Sequence, residues 1–256
     1  MATLTATVDR AAHWAAETTT PARDWNPVYR ALVPGPAPTG EPAPTDGFDE
    51  LVRHQFTARA LLVVAVTHEE STRRARVALD PAGATVEASV DGGASQWSTV
   101  PIDQVPRLIT ELLDAAGVDP EAPRLTVERT EHALRPTPAQ IGLLRAALAR
   151  GESPQDAVAS VPDLDDRLRD ALTTSGPRVS VSLTLHDPGG RVTEAPVSWS
   201  RLWVRGDRDL YRMDAAETST GAIHPVAPGD VLGTVLPVLE EGLRFEAACA
   251  ARGGAR

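Results

Sequence analysis

Lysine is absent from this chain, and every basic side chain other than histidine is an arginine. The accompanying wealth of Ala, Pro and Gly ties that bias to GC-rich coding rather than to chemistry. Cysteine occurs once, as Cys249, so no intramolecular disulfide can form, as suits a reducing compartment. Aromatic residues make up 4% of the chain, which leaves Val, Leu, Ile and Ala to build the core. The longest apolar run, residues 60–66, falls far short of the roughly 18–20 residues a membrane helix needs. No basic start followed by an apolar run and a small-residue cleavage site opens the sequence, so the expectation is a soluble, cytoplasmic protein. A formal net charge of −10 argues against a nucleic-acid surface, which needs clustered positive charge to displace counterions.

What is present has a readable order. Leu4, Val8, Ala11 and Ala15 recur at helical spacing, predicting a short N-terminal helix that Asn26-Pro27 breaks. Prolines 34, 36, 38, 42 and 44 then predict an extended linker up to Gly47. Residues 48–56 read as a short helix. Residues 58–67, 72–79, 85–90 and 96–100 read as strands, with Asp80-Pro81-Ala82-Gly83 and Asp91-Gly92-Gly93 as turns. Residues 101–116 carry a helical stripe of Ile102, Val105, Leu108, Ile109, Leu112 and Leu113, with Asp103 expected as the cap and Gly117 as the stop. Three helices follow in residues 137–176: Thr137-Pro138 and Ser153-Pro154 start the first two, and Leu164, Leu168 and Leu172 stripe the third.

A second strand set then begins. Val179, Val181, Leu183 and Leu185 alternate with polar residues, the pattern of a half-buried strand. Residues 192–204, 209–213 and 222–226 read as further strands, and 228–248 as a Leu-rich helix with Asp230 at its cap. Four strands and a helix therefore occur twice, at 58–116 and 178–248. The expected fold is α+β, two related antiparallel-sheet-plus-helix halves with a pseudo-two-fold arrangement and a central helical segment. Its divisions are an arm and linker over 1–47, a first half over 48–136, helices over 137–176 and a second half over 177–256. Matching the turns by order pairs residues 80–83 with 205–208, whereas matching by residue type pairs them with 187–190; the sequence leaves both open.

Catalytic chemistry finds little footing. His13, His54, His68, His132, His186 and His224 make no H-x-x-x-H or H-E-x-x-H pair, and one cysteine cannot complete a zinc set. His68-Glu69-Glu70 could serve acid–base work, but a polar loop between strands explains it more simply. No G-x-S-x-G elbow or phosphate-cradling glycine loop is present. Arg205-Gly206-Asp207 spells an adhesion tripeptide, yet a tight hairpin accounts for it. No catalytic, cofactor or metal residue is assigned.

The aromatic residues carry more. Trp199, Trp203 and Tyr211 gather in one hairpin, and Trp199 and Trp203, four apart, share a strand face. They either fill the core beneath helix 228–248 or present a partner-binding face.

Trp203, the turn Arg205-Gly206-Asp207-Arg208, Leu210-Tyr211 and Val226-Ala227-Pro228-Gly229-Asp230 leading into the helix make the second half resemble the EspG family of type VII (ESX) secretion-associated proteins of actinobacteria. Val100-Pro101-Ile102-Asp103 and the helix after it repeat the pattern more weakly, so the resemblance runs over about residues 48–248. It implies one EspG-like domain over 48–256 and a cytosolic chaperone without bond chemistry or cofactor. It also implies helical secretion substrates as partners, either PE–PPE heterodimers or WXG-type proteins, whose apolar helical ends are kept from self-association. Two other readings compete. One is a two-lobed protein, a binding protein or an enzyme, with a small-molecule site between its halves, which a polar pocket holding His68, His186 or His224 beside a carboxylate would favour. The other is a structural homodimer built on an exposed sheet.

Overall fold

The computed structural model describes residues 3–7, 15, 18, 20–32, 47–89, 94–123, 133–213 and 222–253. Among these residues nine strands form one antiparallel sheet: β1 (Thr3–Thr7), β2 (Ala60–His68), β3 (Ser71–Ala78), β4 (Ala84–Ser89), β5 (Ala94–Val100), β6 (Arg178–Leu185), β7 (Val197–Arg205), β8 (Leu210–Met213) and β9 (Ile223–Val226). The order across the sheet is β1-β5-β4-β3-β2-β6-β7-β8-β9. Two four-stranded meanders, β2–β5 and β6–β9, thus meet at the β2–β6 pair and run outward from it in mirrored sequence, which is the pseudo-two-fold arrangement. Strand order also resolves the turn matching. Residues 80–83 join the second and third strands of the first meander, so their counterpart is 205–208 and not 187–190.

Alternation makes the two faces differ. Ala60, Leu62, Val64 and Val66 of β2 and Val179, Val181, Leu183 and Leu185 of β6 point to an inner face, buried beneath helices α3 (Val105–Asp114) and α7 (Asp230–Gly253). Each of these helices follows the last strand of its meander. Gly242 lets α7 lie close to the sheet, since a Cβ there would come within 2.5 Å of Leu79 Cδ1 and 3.3 Å of Leu183 Cδ1. Glu246, one turn on, accepts the amides of Arg59 and Ala60 at 3.1 Å each and pins the helix to the start of β2.

The outer face carries two separate covers. Over the first meander lie α1 (Pro27–Leu32) and α2 (Phe48–Phe56), whose Tyr29, Phe48, Val52 and Phe56 pack with Trp25, Leu61 and Trp97. Over the far end of the second lie α5 (Pro154–Ala159) and α6 (Asp166–Thr173), packed on Tyr211 and Ile223. Packed against α5 is α4 (Pro138–Ala149), started as expected by Thr137-Pro138, where Thr137 and Gln140 also form a capping box. Gly151 ends α4 with φ of 83°, a conformation side chains resist.

Several local expectations change. Leu4 lies in β1 and not in a helix, its backbone paired with Trp97, because the free edge of β5 offers a ladder that local periodicity cannot anticipate. Residues 8–14 and 33–46, with the predicted linker prolines, lie outside the described residues, as does the turn 91–93. Asn26-Pro27 begins a helix instead of breaking one: Asn26 Oδ1 accepts the Val28 amide at 3.1 Å, and Pro27 occupies a position that needs no donor. Asp103 falls inside a 3₁₀ turn, Ile102–Gln104, and Gln104 precedes α3 without a side-chain cap bond. The predicted strand over 192–204 starts only at Val197, because the Asp187 carboxylate gathers the amides of Gly189, Arg191 and Val192 into a turn.

Candidate functional site: the outer sheet face

The histidines proposed for a small-molecule site do not converge. His68 is exposed at the end of β2, where Glu69, at φ 54°, turns the chain into β3. His186 is buried, its Nε2 3.1 Å from the Arg23 carbonyl. Burial lowers its pKa, and the nearby Arg30 lowers it further against the Arg23 bond. His224 is half-buried in β9, paired with Arg212 of β8. A cavity of about 450 Å³ does open between α2 and the 80–83 turn, but its histidine is His54. Nδ1 of His54 lies 2.8 Å from the Thr85 hydroxyl, and Nε2 lies 3.9 Å from Asp80. Thr85 lines this cavity with His54 and Asp80 but is itself only 3% exposed. No group of three or more His, Cys, Asp or Glu among the described residues could hold a metal ion, and no described helix is long and apolar enough to cross a membrane.

The three aromatic candidates separate. Trp203 is fully buried on the inner face and donates its indole N–H to Asp230 at 2.8 Å, so Asp230 ties β7 to the start of α7. Arg212, also buried, binds the same carboxylate at 3.1 Å. Tyr211 is fully buried and donates its hydroxyl to Asp170 of α6 at 2.7 Å. That carboxylate also accepts the amides of Asp207 and Arg208, fixing the Arg205-Gly206-Asp207 hairpin against α6. Partial burial would raise the pKa of Asp170, but the Tyr211 hydroxyl and the two amides outweigh it and hold the carboxyl low. Burial and the same carboxylate push the Tyr211 phenol up. Gly206 is required here, as a Cβ would meet Asp170 Oδ2 at 2.5 Å and Tyr211 Cε2 at 2.6 Å. Only Trp199 keeps exposed surface, half-buried with the Arg201 guanidinium 5.4 Å from its ring centre.

Accessible surface gathers elsewhere. Between the two outer covers the sheet lies open, with rows Arg74–Ala65–Ser180–Leu202 and Arg76–Val63–Ser182–Ser200 running across β3, β2, β6 and β7. Val63, Ala65, Ser182 and Leu202 are half-buried, and Ser180 and Ser200 are exposed. Beyond this strip stands α4. Its Ile141, Leu143, Leu144, Ala146, Ala147, Leu148 and Ala149 place apolar groups around the whole circumference, yet only Ala147 is buried. Leu143 is 46% exposed and Leu148 49%. A helix with apolar groups on all sides normally lies within a core, whereas much of α4 remains in water. The sequence shows α4 as a striped helix. That Leu144 packs on the α5–α6 cluster while Leu143 and Leu148 stay exposed depends on where those helices sit, which local pattern does not carry.

Fold and surface together define an α+β scaffold of two meanders in one sheet, with an open sheet face and an exposed, largely apolar helix. No protein-family profile matches the chain, and no curated protein matches its sequence. Among solved structures the chain is similar to the Mycobacterium tuberculosis type VII secretion system chaperone EspG5 in complex with the PE25–PPE41 dimer. The TM-score is 0.55 at 11% sequence identity, over 94% of this chain and 97% of that one. The similarity establishes an EspG-like fold.

Proposed function

We propose that the protein is a non-enzymatic, cytosolic chaperone or adaptor that binds helical type VII secretion substrates, PE–PPE-like or WXG-type, and keeps them soluble for export. The exposed, largely apolar α4 carries this reading. It gives an aggregation-prone helical end a surface to bury against, at roughly 25 cal/mol per Å² of apolar area removed from water. The fold likeness to a chaperone solved with a PE25–PPE41 dimer supports it. On this reading residues 48–256 act as one body. The halves 48–136 and 177–256 supply the sheet floor, 137–176 the apolar helix, and 1–47 an arm anchored through Trp25 and Tyr29. Trp199 stays a candidate contact at the periphery.

Co-expression with a helical-hairpin secretion substrate encoded beside it tests the proposal. The expected outcome is a soluble heterocomplex that survives size-exclusion chromatography, while the substrate alone aggregates. Failure to form a complex with any such neighbour overturns it.

A further inference from the structure

Positive charge collects at one end of the open strip of an otherwise acidic protein. Arg74 on β3 pairs with Ala65 of β2, and Arg178 on β6 pairs with Thr67, so the two flank β2 on the outer face. With strands about 4.8 Å apart and a two-residue offset along them, their Cα atoms stand about 12 Å apart, within reach of one shared group. Neither guanidinium makes an ion pair or hydrogen bond among the described residues, and Nε of Arg74 is buried without a partner. The nearest buried carboxylate is already committed: Glu87 takes Arg76 at 2.7 and 2.8 Å, Tyr29 at 2.8 Å and Ser95 at 3.1 Å. Glu69 and Glu70, exposed in the β2–β3 turn, pair with neither arginine.

We propose that Arg74 and Arg178 form a carboxylate-recognition point, so that the strip takes a helical segment carrying a Glu or Asp beside apolar residues. The inference rests on the chaperone reading and specifies what its partner must present. Planar guanidinium groups suit a carboxylate held from two sides, and the half-exposed Val63, Ala65 and Leu202 between and beside them receive the apolar neighbours of that acid. Burial, and then the adjacent Arg76 charge, lower the pKa of Arg74, so a partner's negative charge relieves an unfavourable placement. The overall charge of −10 disfavours a polyanion such as RNA while leaving this local point intact for a single acid.

The test needs no identified substrate. Arginine Nε–H resonances of the full chain are followed by NMR while a 20-residue amphipathic helical peptide containing two glutamates is added, then its glutamine counterpart. Assignment uses Arg74→Gln and Arg178→Gln, both at positions with exposed surface, with thermal melts confirming folding. Saturable shifts of both resonances with the glutamate peptide, at least tenfold weaker with the glutamine peptide, are expected. Equal shifts with both peptides, shifts with neither, or tighter binding of an RNA oligonucleotide at the same two arginines would overturn the proposal. In the co-expressed complex the double variant should weaken affinity at least tenfold. A complex that forms with undiminished affinity refutes the arginine role but leaves the chaperone reading standing, whereas the absence of any complex removes both.

Discussion

Glu87 stands at the centre of the outer cover, 4% exposed, and joins three elements through Arg76 of β3, Tyr29 of α1 and Ser95 of β5. The Arg76 guanidinium also lies over the Tyr29 ring, 5.6 Å from its centre, so the pair sits between a carboxylate and an aromatic face. Removing one partner of a buried ion pair leaves the other uncompensated. Glu87→Ala should therefore cost about 3–5 kcal/mol, read as a fall in the urea midpoint. Tyr29→Phe, which loses one hydroxyl donor, should cost about 1 kcal/mol. Equal effects of the two variants would show that Arg76 finds compensation elsewhere. This network was not legible in the sequence. Arg76 and Glu87 sit on opposite strands and meet only through register, and nothing local marks Tyr29, 47 positions before Arg76, as their lid. Asp230 shows the same limit: its place at a helix start is readable, but its service to Trp203 and Arg212 is not.

At the scale of elements, two contacts hold the helices to the sheet and give opposite kinds of test. On the inner face the contact is steric. Gly242→Val adds three carbons where Leu79 and Leu183 already press. The overpacking should destabilise the fold by about 1–3 kcal/mol despite the better helix propensity, measurable by thermal or urea unfolding. On the outer face the contact is electrostatic. Asp170 holds α6 to the 205–208 hairpin, and its folded pKa lies below the ordinary value of 3.8. A carboxyl depressed on folding contributes stability above its unfolded pKa and loses it as pH falls through the folded one. The protection of the residue 206–211 amides, taken relative to their intrinsic exchange rates, should accordingly fall as the pH drops below about 3.8, and Asp170→Asn should flatten that response. An unchanged acid profile in the variant would place the sensitivity at another carboxylate, with Asp187 next in line because three turn amides hold it low as well. Elements were the most legible scale. The strands of both meanders, α3, α7 and the proline-started α4 and α5 all announce themselves through period, turn chemistry and caps. β1 did not, since Leu4, Val8, Ala11 and Ala15 fit a helix and only the vacant edge of β5 makes residues 3–7 a strand.

Across the whole molecule, doubling explains both the shape and the asymmetry. Two meanders joined at β2–β6 give one broad sheet, and their terminal helices bury its inner face symmetrically. The outer face breaks that symmetry, because α1 and α2 dress one end and α4–α6 the other, leaving the central strip bare. The sequence foretold the doubling and left the aromatic hairpin open, either as core or as a partner-binding face. There, the ability of Trp203 and Tyr211 to satisfy their polar tips internally, on Asp230 and Asp170, draws them out of reach. The exposed apolar surface of α4 takes over that expectation. Leu143→Ser with Leu148→Ser removes apolar area that is half in water already, so stability should change by no more than about 0.5 kcal/mol per site. The variant should instead be more soluble alone and recover less co-expressed helical substrate, by about tenfold or more, since two side chains buried on binding account for several kcal/mol. Unchanged recovery would move the docking surface from α4 onto the strip alone, where Arg74→Gln with Arg178→Gln would then have to abolish the complex.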